Sequence, residues 1–348
     1  MARRTARGTN GDGSGAWQPP RTPNPSVRPW VSLDGMRLEG IHHITAITGD
    51  ARRNLDFYTR ILGLRLVAKT VNQDDPTVYH LFYGDEHGRP GADLTFFEYP
   101  GAIPGRHGAG MVHTIVSRVA GADALDFWEH RLAALEVPTE RVDGRLRFAD
   151  FEGLNHELKV ADVGDELLKA VHPEIPAEHA IGGFDAVRAY AEDPERSRAL
   201  LERVLGAEDR GEHTWELRGE HRGGTIAFEP APEERGRQSG GSVHHVAFGA
   251  TAAEHPLWRE RIAEAGVDVT PVIDRHYFHS IYFREPNGVL YEIADDAPGF
   301  AVDLPEELFG TKIILPPRFE SYREDIEQRL TPLPDPRAGW PETASPDR

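Results

Sequence analysis

At 348 residues the chain is long enough to bury a large core and to form two domains, and it has no run of roughly eighteen apolar residues that could span a membrane. An acid excess of 57 carboxylates over 39 basic side chains leaves a formal charge of -18, which argues against nucleic acid as a partner because phosphate binding needs a basic surface. With zero cysteines, disulfides, thiolate metal sites, iron–sulfur clusters and a cysteine nucleophile are excluded, so His, Asp and Glu are the side chains left to hold a metal.

Residues 1–36 are rich in Gly, Pro, Arg and Ser without periodicity, the composition of a disordered tail. The Arg3-Arg4 pair is not followed by an apolar stretch, so no export signal is expected and the protein is expected in the cytoplasm. A regular pattern then begins. In residues 37–104, GIHHITAI reads as a strand and ARRNLDFYTRIL as an amphipathic helix. GLRLVAKTV, TVYHLFYGD and ADLTFFEYP read as three more strands, giving one βαβββ module.

The pattern recurs in 105–172, with MVHTIVSRV, a helix from Ala124 to Leu135, RLRFADFEG and HELKVAD. It recurs in 173–238, with IGGFDAVRAYA, a helix from Pro194 to Leu205, HTWELRG and GTIAFEP. The copy at 239–297 runs SVHHVAFGA, a helix from Pro256 to Ala265, VTPVIDRHYFHSIYFRE and GVLYEIADD. Repetition at this period points to internal duplication. One such module leaves strand edges exposed, so two must pair. The expected fold is therefore α+β, with four βαβββ modules pairing into two barrel-like units. Residues 298–333 read as a C-terminal helical arm with a helix from about Phe319 to Leu330, and 334–348 as a second disordered tail.

The chemistry is concentrated in modules one and four. Glu292 lies in the apolar run GVLYEIADD, and a buried carboxylate must be partnered. Adjacent histidines occur twice at the head of a strand, as His42-His43 and His244-His245. Two imidazoles and one carboxylate form the facial triad of non-heme Fe(II) oxygenases. Neighbouring strand residues point to opposite faces, so one histidine of each pair should reach the metal. Turning Val246, Phe248, Tyr291 and Ile293 towards the helices aims His245 and Glu292 at the cavity, and the same register aims His43 there with Thr45. The first strand stays ambiguous, since Ile41 and Ile47 would then point inward too. Because no consecutive pair of modules holds the full set, modules one and four are expected to pair with each other, leaving two and three as the other unit. In module two His113 stands at the place of the doublets, with Glu157 later, and is expected to be a satisfied core histidine; module three offers Gly183 or Phe184, with Glu229. A second metal is not expected.

Tandem βαβββ modules with His in the first strand and Glu in the last resemble the vicinal oxygen chelate superfamily, which includes glyoxalases, extradiol dioxygenases and bleomycin-resistance proteins. The doubled histidines, DRHYFHSIYFREPNGVLYE and LPPRFESYREDIEQRLTPL resemble, within it, the ring-cleaving dioxygenases that act on hydroquinones, over about residues 37–333. The resemblance implies metal ligands His43, His245 and Glu292, with His42, Thr45, His244, Arg275 and Tyr282 around the substrate; Glu98, at a comparable place in module one, is not used. It also implies Fe(2+), with Mn(2+) as the alternative metal, a small aromatic substrate and O2; a homo-oligomer is left open. Other readings are a catechol-type extradiol dioxygenase, a glyoxalase-like isomerase and a metal-free binding protein of the bleomycin-resistance kind. The isomerase normally needs four ligands, typically with two carboxylates, and the binding protein lacks the His-His-Glu set.

Overall fold

The computed structural model describes residues 35–340; segments 1–34 and 341–348 of the expected tails lie outside them. Module one contributes β1 (Ile41–Thr48), β2 (Arg65–Val71), β3 (Tyr79–Gly84) and β4 (Asp93–Glu98), and module two β5 (Met111–Val119), β6 (Thr139–Val142), β7 (Arg145–Ala149) and β8 (Asn155–Val160). Module three supplies β9 (Phe184–Ala191), β10 (Glu208–Gly211), β11 (Thr214–Arg218) and β12 (Gly223–Pro230), and module four β13 (Ser242–Gly249), β14 (Ile273–Asp274), β15 (His279–Arg284) and β16 (Leu290–Ala294).

The strands form two eight-stranded sheets, ordered β14-β15-β16-β13-β1-β4-β3-β2 and β10-β11-β12-β9-β5-β8-β7-β6. Modules one and four share the first sheet, and modules two and three the second. In every module the first strand pairs parallel with the last, and in each sheet two first strands meet antiparallel at the seam, β1 with β13 and β5 with β9. The short edge strands β6 (TERV) and β10 (EDRG) are not legible in the hydrophobic pattern, because they bury nearly nothing. An edge that is short and charged resists pairing with another chain.

Helices α1 (Ala51–Leu55), α2 (Ala122–Ala134), α3 (Glu195–Ala199) and α4 (His255–Glu264) cross from the first to the second strand of each module. Asp50 starts α1 by accepting the Arg52 and Arg53 N–H groups, both at 3.0 Å. The second halves of the module-one and module-three helices widen to π turns, closed by Leu62 N–H to Phe57 O at 3.0 Å and Leu205 N–H to Leu200 O at 2.9 Å. Trp128 of α2 and Trp258 of α4 are fully buried in the main core, and Tyr58 fills the same role after α1.

The arm packs on the first sheet. Ile314 N–H donates to Lys69 O at 2.9 Å, and Tyr79 Oη donates to Thr331 O at 2.9 Å. Its helix is split into a 3-10 turn, Pro317–Tyr322, and α5 (Arg323–Arg329). The disorder expected from residue 334 does not hold for 334–340. Arg337 pairs with the buried carboxylate of Glu86 at 2.7 and 2.8 Å, and Trp340 meets His172 edge-on at 5.1 Å. Composition hid this anchor because its partners are remote in sequence. At the other end Met36, expected to close the disordered tail, is buried in the core. No helix among the described residues is long and apolar enough to cross a membrane.

Candidate metal centre

Strands β1 and β13 lie side by side at the middle of the first sheet, and their ladder slips twice. Ile41 faces Phe248 while His43 faces Ala247, so His42 is an extra residue; Thr45 faces His245 while Ala46 faces Val243, so His244 is the other. Each doublet is therefore a β-bulge whose first histidine is inserted, and a bulge re-aims the neighbouring side chains. Strict alternation alone would put the two imidazoles of a doublet on opposite faces, yet His244 and His245 both line the cavity beside the cluster.

His43, His245 and Glu292 are all buried and form the one cluster of three potential ligands found among the described residues. The Nε2 atoms of His43 and His245 are 3.3 Å apart, and the Oε2 atom of Glu292 lies 3.3 Å from the first and 2.9 Å from the second. Cis ligands at about 2.1 Å from a common metal stand roughly 3.0 Å apart, so the triangle fits one ion bound on one face. Glu292 Oε1 accepts from the Ser280 hydroxyl, whereas Oε2 is buried without a hydrogen-bond partner. Burial alone would raise the Glu292 carboxyl, but His43 and His245 outweigh it and hold it well below the ordinary value.

The doublets also fix the ring tautomers. Nδ1 of His43 meets Nδ1 of His42 at 3.0 Å, and Nδ1 of His245 meets Nδ1 of His244 at 2.8 Å, so one nitrogen of each pair must carry the proton. If Nε2 of His43 and His245 are lone-pair ligands, the protons sit on their Nδ1 atoms and are donated to the preceding histidine. His42 then donates through Nε2 to Asp295 O at 3.1 Å, with an Asp296 carboxylate oxygen at 3.4 Å. Burial lowers His42 despite Asp296, and takes His244 down to about 3, so both rings are neutral near pH 7.

A cavity of about 370 Å³ opens from the cluster. Of the residues expected around a substrate, Thr45, His244, Arg275 and Tyr282 line it; His42 does not, because it is turned behind His43 towards Asp295. Arg275 Nε donates to Tyr282 Oη at 3.2 Å, and its Nη1 pairs with Asp74 at 3.1 Å. Burial raises the Tyr282 phenol, followed by the Glu292 charge, so the hydroxyl keeps its proton.

His80, which the sequence reading passed over, also lines this cavity. Its Nε2 is 3.0 Å from Thr95 Oγ1, which is 2.8 Å from Thr45 Oγ1. Burial, then His43 and His245, pushes its pKa well below the ordinary value, so it is neutral. The signal was present in TVYHLFYGD, where His80 shares a strand face with Phe82, opposite Tyr79, Leu81 and Tyr83. Asp74 and Gln73, in the loop before β3, gave no such signal.

Register fixes the fourth position as well. Glu292 pairs with Ala247, and the corresponding pair in module one is Thr45 with Thr95. Thr95, not Glu98, is thus the counterpart of Glu292; Glu98 instead accepts the Ala51 N–H at 3.1 Å near the start of α1. The same alignment in the second sheet gives Thr114, Glu157, Ala186 and Ala227, with His113 at the place of the non-ligand histidines. Only Glu157 there is a metal-ligand type.

Paired βαβββ modules around a buried His-His-Glu triangle that could hold a metal are the architecture of the vicinal oxygen chelate class. The chain belongs to the Glyoxalase/Bleomycin resistance protein/Dioxygenase superfamily, whose profile matches residues 40–155 and 183–293. It is 42% identical over 302 residues to the Bacillus subtilis (strain 168) protein named "Putative ring-cleaving dioxygenase MhqO", covering 84% of this chain and 96% of that one. It is 30% identical over 308 residues to the chlorohydroquinone/hydroquinone 1,2-dioxygenase of Sphingobium indicum, covering 83% and 95%. A crystal structure described as a "putative dioxygenase" from Bacillus subtilis subsp. subtilis str. 168 superposes with a TM-score of 0.79 at 39% identity, over 86% of this chain and 99% of that one.

Proposed function

We propose that the chain is an Fe(II)-dependent dioxygenase that opens a hydroquinone-type ring with O2, taking His43, His245 and Glu292 as the metal ligands and Mn(2+) as the less favoured ion. The observation that carries this reading is the threonine at the fourth position: Thr95 stands where a second carboxylate would complete a four-ligand site, and it is hydrogen-bonded to Thr45 instead. Three protein ligands leave places for a substrate oxygen and O2, whereas a glyoxalase-like isomerase normally uses four. The names of the relatives point the same way.

Bound ferrous iron would supply one coordination sphere for both reactants, removing much of the entropy of bringing them together. The remaining work falls to the chain. One carboxylate and two neutral imidazoles leave a divalent ion with one net positive charge, which suits a single phenolate. Arg275, fixed between Tyr282 and Asp74, orients that anion from the cavity wall. His244 accepts from His245 at Nδ1, so its own proton is on Nε2 and it can donate into the cavity. His80, neutral and tied to Thr95, lines the cavity where it can hydrogen-bond the ring's second hydroxyl. His42 acts through His43 and not on substrate.

The test is oxygen uptake by protein loaded anaerobically with Fe(II), then given hydroquinone, catechol or a methylglyoxal–thiol adduct. Hydroquinone should consume one O2 per ring and yield a ring-opened acid. Good turnover of catechol with inert hydroquinones would replace this reading by the extradiol one. Isomerisation of the adduct without oxygen uptake would refute the dioxygenase reading altogether.

A further inference from the structure

The second unit has a cavity of about 440 Å³ built from the same strand positions as the metal cavity, with His113 and Thr114 on β5, Arg147 on β7 and Arg188 and Tyr190 on β9. Its chemistry is different. Glu157, fully buried, occupies the last-strand position that Thr95 holds in module one, and three guanidinium groups converge on it: Arg145 at 3.0 Å, Arg188 at 3.1 Å and Arg147 at 2.8 Å. Arg188 also pairs with Glu229 at 2.9 Å. Of these groups Arg147 and Arg188 line the cavity; of its two lining acids Glu229 is held by Arg188, and Glu140 is exposed at the mouth, where solvent screens it.

Two polar atoms at this place lack a hydrogen bond although buried, Nε2 of His113 and Nε of Arg188. The His113 side chain, expected from sequence to be a satisfied core histidine, is 7% exposed: Nδ1 is 2.9 Å from Thr114 Oγ1, and Nε2, 3.4 Å from Glu229, is the nitrogen left without a hydrogen bond. Its ring lies flat on Tyr190, centroids 3.9 Å apart and planes 19° from parallel, which makes an aromatic wall.

We propose that this cavity binds a small planar monocarboxylate, aromatic or conjugated. Only the Nε of Arg147 is engaged by Glu157, which leaves the terminal nitrogens of a half-exposed guanidinium to take a carboxylate in two parallel bonds. The flat body of the ligand packs against the Tyr190 and His113 wall, and Nε2 of His113 meets a polar substituent. A ring of benzene size fills a cavity of about 150 Å³, so about 440 Å³ has ample room for one ring with substituents. A cation finds too many guanidinium groups there, and a dianion is opposed by Glu229 and Glu140. A metal has one ligand-type residue in four positions. The site stands independently of the reaction proposed for the first unit.

Calorimetric titration of the metal-free full chain with benzoate tests this, with benzamide as the uncharged isostere and sorbate as an open-chain conjugated acid. Benzoate should bind at one site, at least about tenfold more tightly than benzamide, and Arg147→Gln should weaken it about tenfold. Arg275→Ala, in the other cavity, should leave it unchanged. Thr114→Phe, which fills the cavity, should abolish binding and serves if the arginine variant misfolds. Preference between benzoate and sorbate tells whether the ligand is an aromatic acid or a ring-opened one. The proposal is overturned if no saturable benzoate binding occurs, or if binding is lost in Arg275→Ala and kept in both second-cavity variants.

Discussion

A histidine that gives a metal its Nε2 lone pair must place the proton of its Nδ1, and the doubled histidines meet that need with the residue just before each ligand. On the proposed ligand assignment the pair is a ligand and its orienting acceptor, and the bulge in the ladder sets the two rings side by side. Removing the acceptor should loosen the ligand without removing it. His42→Ala is expected to lower iron affinity by about ten- to a hundredfold, while His43→Ala, His245→Ala and Glu292→Gln lose stoichiometric iron. Metal analysis after gel filtration checks both, and near-stoichiometric iron in the last three variants would defeat the ligand assignment. His80→Gln keeps its iron, because it touches Thr95 and not the cluster, and loses turnover by about tenfold; unchanged turnover removes His80 from contact with the substrate. The lone Glu292 and the two doublets were legible from sequence, since a carboxylate in an apolar strand and paired histidines are rare enough to need a reason. The bulges were not legible. Alternation predicted opposite faces for adjacent residues; the ladder shows a bulge at each doublet, and the contact of His42 Nε2 with Asp295 O turns that ring away from the cavity His244 and His245 share.

Single elements of this chain act through their neighbours, and the arm shows it best. Arg318, in the 3-10 turn before α5, donates to Gln73 O at 3.2 Å and to its side-chain oxygen at 2.8 Å. Gln73 in turn donates to Arg275 O at 2.6 Å, and Asp74 pairs with the Arg275 guanidinium. The arm therefore braces the loop that holds the cavity's cation, although it contributes no side chain to the metal. Each bond is near the surface and worth about 1 kcal/mol net. Arg318→Ala should accordingly raise KM about two- to fivefold, with iron content unchanged; an unaltered KM would show the brace to be idle. Apart from the short edge strands β6 and β10, the strand and helix positions of the four modules were readable because their apolar residues recur at the period of each element. The arm's exact course was not, because it is held by hydrogen bonds to the backbone of a distant loop and by Arg337 on Glu86, and such partners leave no local pattern.

At the scale of the whole chain, the decisive fact is that the outer modules pair with each other and the inner two do the same. That pairing could be inferred before any coordinates, since the ligands were split between the first and fourth modules. What could not be inferred was how the units meet. Gly91 N–H donates to His42 O at 2.7 Å while Phe184 N–H donates to Gly91 O at 2.8 Å, so one glycine stitches the two sheets beside the candidate metal centre. Its φ of 106° is open to glycine and to few other residues. Both seams, β1 with β13 and β5 with β9, join the first half of the chain to the second. Cutting between modules two and three therefore leaves neither half with a closed unit. Fragments 35–172 and 173–340 should each be unstable and free of iron when made alone. Co-expressed, they should copurify one to one and recover iron, because both seams and the buried faces behind them re-form on association. Iron bound stoichiometrically by either fragment alone, or fragments that never copurify, would contradict a site assembled from the two ends of the chain.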